Sequence, residues 1–166
     1  MLTMLKSDDA VNGCRKLFES GQYGKAIRLL KRSLRSNPKD AKVLGLLSYA
    51  LFSDGAMEEA VEVALAAVDI QKTEFMANLV LGRIHLLGKE FKAALAYFTV
   101  ARDVCPGSIS VQIALGDLFF TQNKLDSAIK YYGNAVRTAP TDTTSRHKLG
   151  EALIAQYWSA DERADS

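Results

Sequence analysis

The chain has 166 residues and a net charge of +2, with 48% hydrophobic and 24% charged residues. These proportions are typical of a folded globular protein, and they exclude a disordered chain. Residues 1–42 hold ten Lys or Arg against four Asp or Glu, whereas residues 43–142 hold eight against eleven. The basic character is therefore local and does not extend over the whole surface.

The apolar runs and the cysteines of the sequence indicate in which cellular compartment the protein is expected. No run of about 18 uncharged apolar residues is present, so the sequence predicts no membrane-spanning helix. The first ten residues, MLTMLKSDDA, lack the long apolar core of a secretory signal. Cys14 and Cys105 lie far apart in sequence, and we predict that they stay free thiols, as in a reducing compartment. We therefore expect a cytoplasmic protein.

Similar residues recur at a step of 34 positions along most of the chain. A period of about 20 to 50 residues is typical of repeat proteins. One series of alanines and one of leucines keep this step: Ala26, Ala60, Ala94 and Ala128, and Leu47, Leu81, Leu115 and Leu149. The step defines units that begin, without one insertion, at Ser7, Ala41, Phe75, Ile109 and Thr143.

Each of the first four units contains two helical patterns joined by a short breaker. The breakers are Ser20–Gln22, Asp54–Ala56, Gly88–Glu90 and Gln122–Lys124. Glycine and asparagine suit the end of a helix because they tolerate left-handed backbone angles. Between units, prolines at three of the four junctions stop the second helix, since proline cannot continue a helix. The sequence therefore predicts an all-α chain of antiparallel helix pairs.

Small and bulky residues alternate in each unit in a fixed order. The order is clearest in the third and fourth units, in Leu81, Gly82, Ala94, Phe98, Ala101 and Pro106, and in Leu115, Gly116, Phe119, Ala128, Tyr132, Ala135 and Pro140. With this order and length, residues 7–157 resemble the tetratricopeptide repeat (TPR) family. The resemblance implies a right-handed superhelical solenoid of about nine helices.

Half a unit follows the fourth repeat. Residues 143–158 predict a single capping helix, with Leu149, Ala152 and Leu153 facing back onto the fourth unit. We thus predict one domain over residues 7–158. Its parts are the repeats 7–40, 41–74, 75–108 and 109–142 and the capping helix, between an N-terminal extension of residues 1–6 and a polar tail of residues 159–166.

No group of residues in the sequence predicts catalysis. Gly82–Lys89 superficially resembles a phosphate-binding loop, but five residues separate its glycines where that motif has four, and no strand precedes it. His85 and His147 have no Cys or carboxylate at metal-ligand spacing. The neighbourhoods of Cys14 and Cys105 do not suggest an activated thiolate. We expect a non-enzymatic protein without cofactor or metal.

The TPR resemblance implies a concave groove, lined by the first helix of each unit, that captures an extended peptide or a helix. Positions two, five, nine and twelve of the units usually line this groove in the family. From these positions we expect the partner-binding residues to be Lys42, Gly45, Tyr49, Met76, Leu79, Arg83, Ser110, Ile113, Asp117 and His147. Such a groove is mainly apolar with few charges, which suits an amphipathic helix or an apolar segment. The alternative is that some of these side chains only pack between neighbouring first helices.

One well-known binding mode of the family does not fit the sequence. In that mode, Lys, Asn, Asn, Lys and Arg on three successive first helices grip the C-terminal carboxylate of heat-shock chaperones. Val11 and Leu46 stand where this set requires Lys and Asn. We therefore predict that the chain has no chaperone-tail clamp.

A basic patch lies on the second helix of the first unit. Its members are Lys25, Arg28, Lys31, Arg32 and Arg35. The patch is either a solvated outer face or an electrostatic dock for an acidic protein or a membrane surface. Nucleic acid is the least favoured partner because no aromatic residue is interleaved for base stacking.

These observations favour a protein–protein interaction module, an adaptor or assembly factor that holds a partner segment in its groove. Two alternatives remain open at this point. The chain could be a structural scaffold that self-associates as a homo-oligomer, or a small chaperone for a secreted or membrane-assembling client.

Overall fold

The structure, a computed structural model, describes residues 7–164. Over these residues the regular structure is entirely α-helical, and the predicted all-α fold of helix pairs is confirmed. The sequence predicts one domain, whereas the structure groups the chain into two compact units, Met1–His85 and Leu86–Ser166. We call them unit 1 and unit 2. The predicted N-terminal extension, residues 1–6, lies outside the described residues.

From the second onwards, every predicted repeat begins at the first residue of a helix, and Ser7, where the first repeat is predicted to begin, is the first residue that the structure describes. The first helices are α1 (Ser7–Glu19), α3 (Ala41–Asp54), α5 (Phe75–Leu87), α7 (Ile109–Thr121) and α9 (Thr143–Ala164). The second helices are α2 (Tyr23–Leu34), α4 (Met57–Ile70), α6 (Phe91–Val104) and α8 (Leu125–Thr138). Within the part of the chain that the structure describes, α9 is the one first helix that no second helix follows.

A residue with a left-handed backbone follows the first helix of each of the first four repeats. Its φ angle is 66° at Gly21, 88° at Gly55, 57° at Lys89 and 57° at Asn123, again at the 34-residue step. Glycine and asparagine adopt this conformation readily, whereas lysine does so at a steric cost. The turn at Lys89 is therefore imposed by the helices on either side of it.

In the last repeat the position equivalent to these four residues is Tyr157, which lies within α9, and the helix continues through it. Tyrosine is poorly suited to a left-handed backbone, and no Gly or Pro interrupts residues 155–164. As a result α9 continues to Ala164. This corrects two predictions: the capping helix does not stop at residue 158, and residues 159–164 of the predicted polar tail are helical. Residues 165 and 166 lie outside the described residues.

Unit 1 is held together by a buried cluster that α1, α2, α3 and α4 share. The cluster comprises Cys14, Ala26, Leu30, Val43, Leu47, Ala50, Leu51 and Ala60. Ile84 of α5 packs against it. The small residues let the helices approach closely while the leucines fill the space beside them, as the sequence pattern predicts.

In unit 2 the pairing of α7 with α8 depends on a glycine. Gly116 has the ring of Tyr132 directly over its Cα, where a Cβ atom would lie well inside 3.0 Å of the ring carbons. Tyr132 also packs with Ala128 of α8 and Ala152 of α9. Leu153, which the sequence predicts to face the fourth repeat, is 47% exposed, and that prediction is wrong.

Candidate protein-binding surface

The first-helix surface of unit 1 carries six of the predicted groove residues. Lys42 is exposed, and Tyr49, Met76 and Arg83 are partly exposed. Lys42 and Tyr49 lie seven residues apart on α3, so their side chains share one face of the helix. Met76 and Arg83 occupy the equivalent positions on α5, one repeat later. We call these four residues the first-helix face.

Two of the six residues do not belong to this face. Leu79 is only 1% exposed, and Gly45 is buried. Gly45 faces the carboxyl group of Glu74, which takes the space that a Cβ at position 45 would need. Neither residue offers a side chain to a partner, and the prediction for Gly45 and Leu79 is wrong.

Glu74 is a residue that the sequence pattern missed. It precedes α5, and its Oε2 accepts a hydrogen bond of 2.6 Å from the backbone N–H of Ala77. Burial raises the pKa of this carboxyl, while backbone N–H groups of α5, Ala77 first, act in the opposite direction. Asp40 and Asp142 stand one repeat before and two repeats after it and also cap helices. That recurrence is the signal from which the role of Glu74 could have been found.

Tyr49 belongs to an aromatic cluster in unit 1. Its ring lies edge-on to Phe18 at 5.2 Å and to Tyr23 at 6.5 Å between centroids. All three rings are partly exposed. Edge-to-face contacts of this kind hold rings in place. The cluster therefore presents Tyr49 as a rigid, partly apolar contact point.

Unit 2 carries the other four predicted groove residues. Ser110 is exposed at the start of α7. Ile113 is partly buried against Ala128, Tyr132 and Ala152, so most of its side chain serves packing. His147 on α9 is exposed, and its Nε2 lies 3.4 Å from Oε1 of Glu151, one turn later on the same helix.

Asp117, the fourth of them, joins three helices. Its Oδ1 accepts a hydrogen bond of 2.6 Å from the hydroxyl of Tyr132 on α8, and lies 2.8 Å from Nζ of Lys148 on α9. Burial raises the pKa of Tyr132, and the Asp117 carboxylate adds to that shift, so the hydroxyl stays protonated and donates. Asp117 therefore stabilises the α7–α8–α9 packing, and sequence reasoning missed its partners Tyr132 and Lys148.

The five residues of the basic patch on α2 are all exposed. Lys31 forms an ion pair of 2.6 Å with Glu59 of α4, in which both side chains are about half exposed. An acidic residue of the neighbouring helix therefore neutralises the charge of Lys31. Such exposed pairs contribute little to stability. The other four basic residues of the patch keep this surface positively charged.

The described residues contain no group of three or more His, Cys, Asp or Glu that could hold a metal ion. The buried Cys14 thiol has a pKa raised to about 11 by burial, which keeps it protonated and unreactive at neutral pH. Both cysteines are free. No helix among the described residues is long and apolar enough to cross a membrane.

Comparison with known protein families agrees with the repeat pattern. Family models described as tetratricopeptide repeat match residues 15–75 and 109–142, which together form more than half of the chain. No curated protein matches the chain in sequence.

Several solved structures share the fold. MamA 41-end from Desulfovibrio magneticus RS-1 is 23% identical over 89% of this chain and 83% of its own, with a TM-score of 0.66. The first TPR domain of human RPAP3 is 18% identical over 75% of this chain and 98% of its own, also with a TM-score of 0.66. The first TPR of Spaghetti (RPAP3), bound to the HSP90 peptide SRMEEVD, is 19% identical over 70% and 93%, with a TM-score of 0.63.

Proposed function

The chain belongs to the tetratricopeptide repeat family, and from that premise we propose that it is an adaptor that binds a segment of another protein on the first-helix face of unit 1. The observation that carries the proposal is the side-chain arrangement of this face. Lys42, Tyr49, Met76 and Arg83 occupy equivalent positions on α3 and α5 and remain at least partly exposed while their neighbours are buried.

The chemistry of the first-helix face favours a particular kind of partner. Tyr49 and Met76 offer an aromatic ring and a flexible thioether, which pack against apolar side chains. Lys42 and Arg83 add two cations, which favour carboxylates. Gly45 and Leu79 are buried and do not contribute to this face. We therefore propose a partner segment that combines apolar and acidic residues, either extended or as an amphipathic helix.

Peptides selected on the 166-residue chain from a random display library provide the probe, with affinity measured by fluorescence anisotropy. The double substitution Tyr49→Ala and Arg83→Ala is expected to weaken their binding at least tenfold, because truncation of a buried Tyr or Arg anchor commonly costs more than about 1 kcal/mol. The helical circular dichroism should not change, since neither residue is fully buried.

A matched control is the pair Glu62→Ala and Leu65→Ala on α4, both of which are exposed. It should leave peptide affinity unchanged. Unaltered binding by the Tyr49/Arg83 variant would contradict the proposal. Binding that weakens steeply with salt and is lost on changing Arg28 and Arg32 would instead assign the partner to the basic patch.

The HSP90 peptide SRMEEVD, which is bound in the Spaghetti (RPAP3) structure, should not bind this chain. Val11 and Leu46 stand where the chaperone-tail clamp needs Lys and Asn, and both pack against the core of unit 1. Isothermal titration calorimetry should detect no heat of binding up to about 1 mM peptide. A micromolar dissociation constant would show that another set of residues can replace the clamp.

A further inference from the structure

The outward face of α9 is an exposed apolar surface outside the first-helix face. Leu153 is 47% exposed, Ile154 60%, Tyr157 67% and Trp158 59%. These residues lie on one side of the helix, opposite the buried Ala152. They remain together because α9 does not turn at Tyr157. We call this surface, with Gly150 one turn before it, the α9 outer face.

The α9 outer face has a counterpart in the structure that shows what it lacks. Gly150 on α9 is the equivalent of Gly116 on α7, one repeat later, and both glycines lie on the first helix of their repeat. At Gly116 the ring of Tyr132, from the antiparallel second helix, covers the backbone. At Gly150, apart from the adjoining backbone of α9 itself, no heavy atom lies within 4 Å of the Cβ position. The site that receives an aromatic ring on α7 is open on α9.

We propose that the occupant of the α9 outer face is the α9 helix of a second copy of this chain, in an antiparallel pair with two-fold symmetry. If the two-fold axis passes between Leu153 and Ile154, the ring of Tyr157 from the second copy lies over Gly150 of the first. The arrangement repeats the packing of Tyr132 on Gly116. Leu153 then meets Ile154 of the second copy at the centre, and by symmetry every contact is made twice.

Charge along α9 supports the antiparallel direction. Arg146 lies near the start of the helix and Asp161 near its end, and both are exposed. In the same register Arg146 of each copy meets Asp161 of the other. A parallel pair would instead place Arg146 beside Arg146, which is unfavourable. The paired stretch, from Arg146 to Asp161, spans about 24 Å at 1.5 Å per residue.

The size of the α9 outer face indicates a reversible dimer. A whole aromatic side chain buries about 150–250 Å², and more than half of Tyr157 and Trp158 is exposed. With the two aliphatic residues, the face offers on the order of 400 Å². That is about half of what each partner contributes to a standard interface. Interfaces of this size belong to weak, transient complexes, for which we expect a dissociation constant in the micromolar range, about 10 µM.

The first test is sedimentation equilibrium of the 166-residue chain from about 1 to 300 µM, a range chosen to bracket this constant. The wild type should pass from monomer to dimer. Trp158, the single tryptophan, should shift its fluorescence emission to the blue over the same range because it becomes buried. A wild type that stays monomeric at the highest concentration would overturn the proposal and leave the α9 outer face to another partner.

Leu153→Glu should keep the chain monomeric throughout the range, since it places two carboxylates at the centre of the pair. Leu65→Glu on α4 is the matched control, because Leu65 is the same residue type and 46% exposed. It should dimerise like the wild type. Dimerisation of Leu153→Glu at wild-type strength would exclude α9 as the interface.

A charge exchange tests the register. Arg146→Asp and Asp161→Arg should each weaken self-association about fivefold or more, because each variant places like charges opposite one another twice. An equimolar mixture of the two should form a heterodimer, since both cross-pairs are then complementary. Native mass spectrometry distinguishes the heterodimer from the homodimers. Absence of the heterodimer would refute the antiparallel pairing.

Discussion

Gly116→Ala is expected to lower the free energy of unfolding by about 1–3 kcal/mol, although alanine favours helix over glycine by about 1 kcal/mol. The added Cβ would lie within 3.0 Å of three ring carbons of Tyr132, and well inside that distance of two of them. That ring cannot move aside easily, because Tyr132 is 2% exposed and its hydroxyl donates to Asp117. Overpacking therefore outweighs the gain in helix propensity. Thermal and urea unfolding followed by circular dichroism measures the difference.

Gly150→Ala is the matched control for this prediction, at the equivalent position one repeat later. Apart from the adjoining backbone of α9 itself, its Cβ would meet no heavy atom within 4 Å. In dilute protein the change should raise the free energy of unfolding by about 0.5–1 kcal/mol, from helix propensity alone. If the two substitutions had effects of the same sign, the close approach of α7 and α8 at Gly116 would not be the cause.

The starts of the second, third and fourth helix pairs and of α9 could be predicted from the sequence because the spacing of alanines, leucines and breakers is strictly periodic. A repeat fold is built from short-range contacts, so the same local pattern gives the same local structure. Prediction failed where one residue departs from the pattern. Tyr157 occupies the place of Gly21, Gly55, Lys89 and Asn123. There α9 extends and carries two aromatic rings onto its outer surface.

The binding surface was less predictable than the fold, for a physical reason. A position within the repeat fixes the direction of a side chain relative to its own helix, but it does not fix which side chains of neighbouring segments lie against it. Gly45 has the direction expected for a groove residue, yet the Glu74 carboxyl covers it. Asp117 likewise points outward, and is engaged by Tyr132 and Lys148. These contacts link residues 15 to 31 positions apart and depend on side-chain length, which a periodic pattern does not specify.

Gly45→Ala is the second substitution that we expect to destabilise the fold strongly, by about 1–3 kcal/mol. The Cβ would overlap the carboxyl group of Glu74, which is 6% exposed. A carboxyl at the end of a flexible side chain normally moves away from such a clash. Here movement would break the hydrogen bond to Ala77 at the start of α5, and loss of a helix cap costs about 0.5–2 kcal/mol.

A double-mutant cycle separates this explanation from a general intolerance of α3 to change. In a Glu74→Ala background the space beside Gly45 is free, so Gly45→Ala should become neutral or stabilising by up to about 1 kcal/mol. Gly24→Ala in α2, where a Cβ meets no atom within 4 Å, controls for helix propensity in unit 1. Equal destabilisation by Gly45→Ala with and without the Glu74 carboxyl would contradict the contact. Reversal of its sign would show that the space beside Gly45 is occupied by the carboxyl group that caps α5.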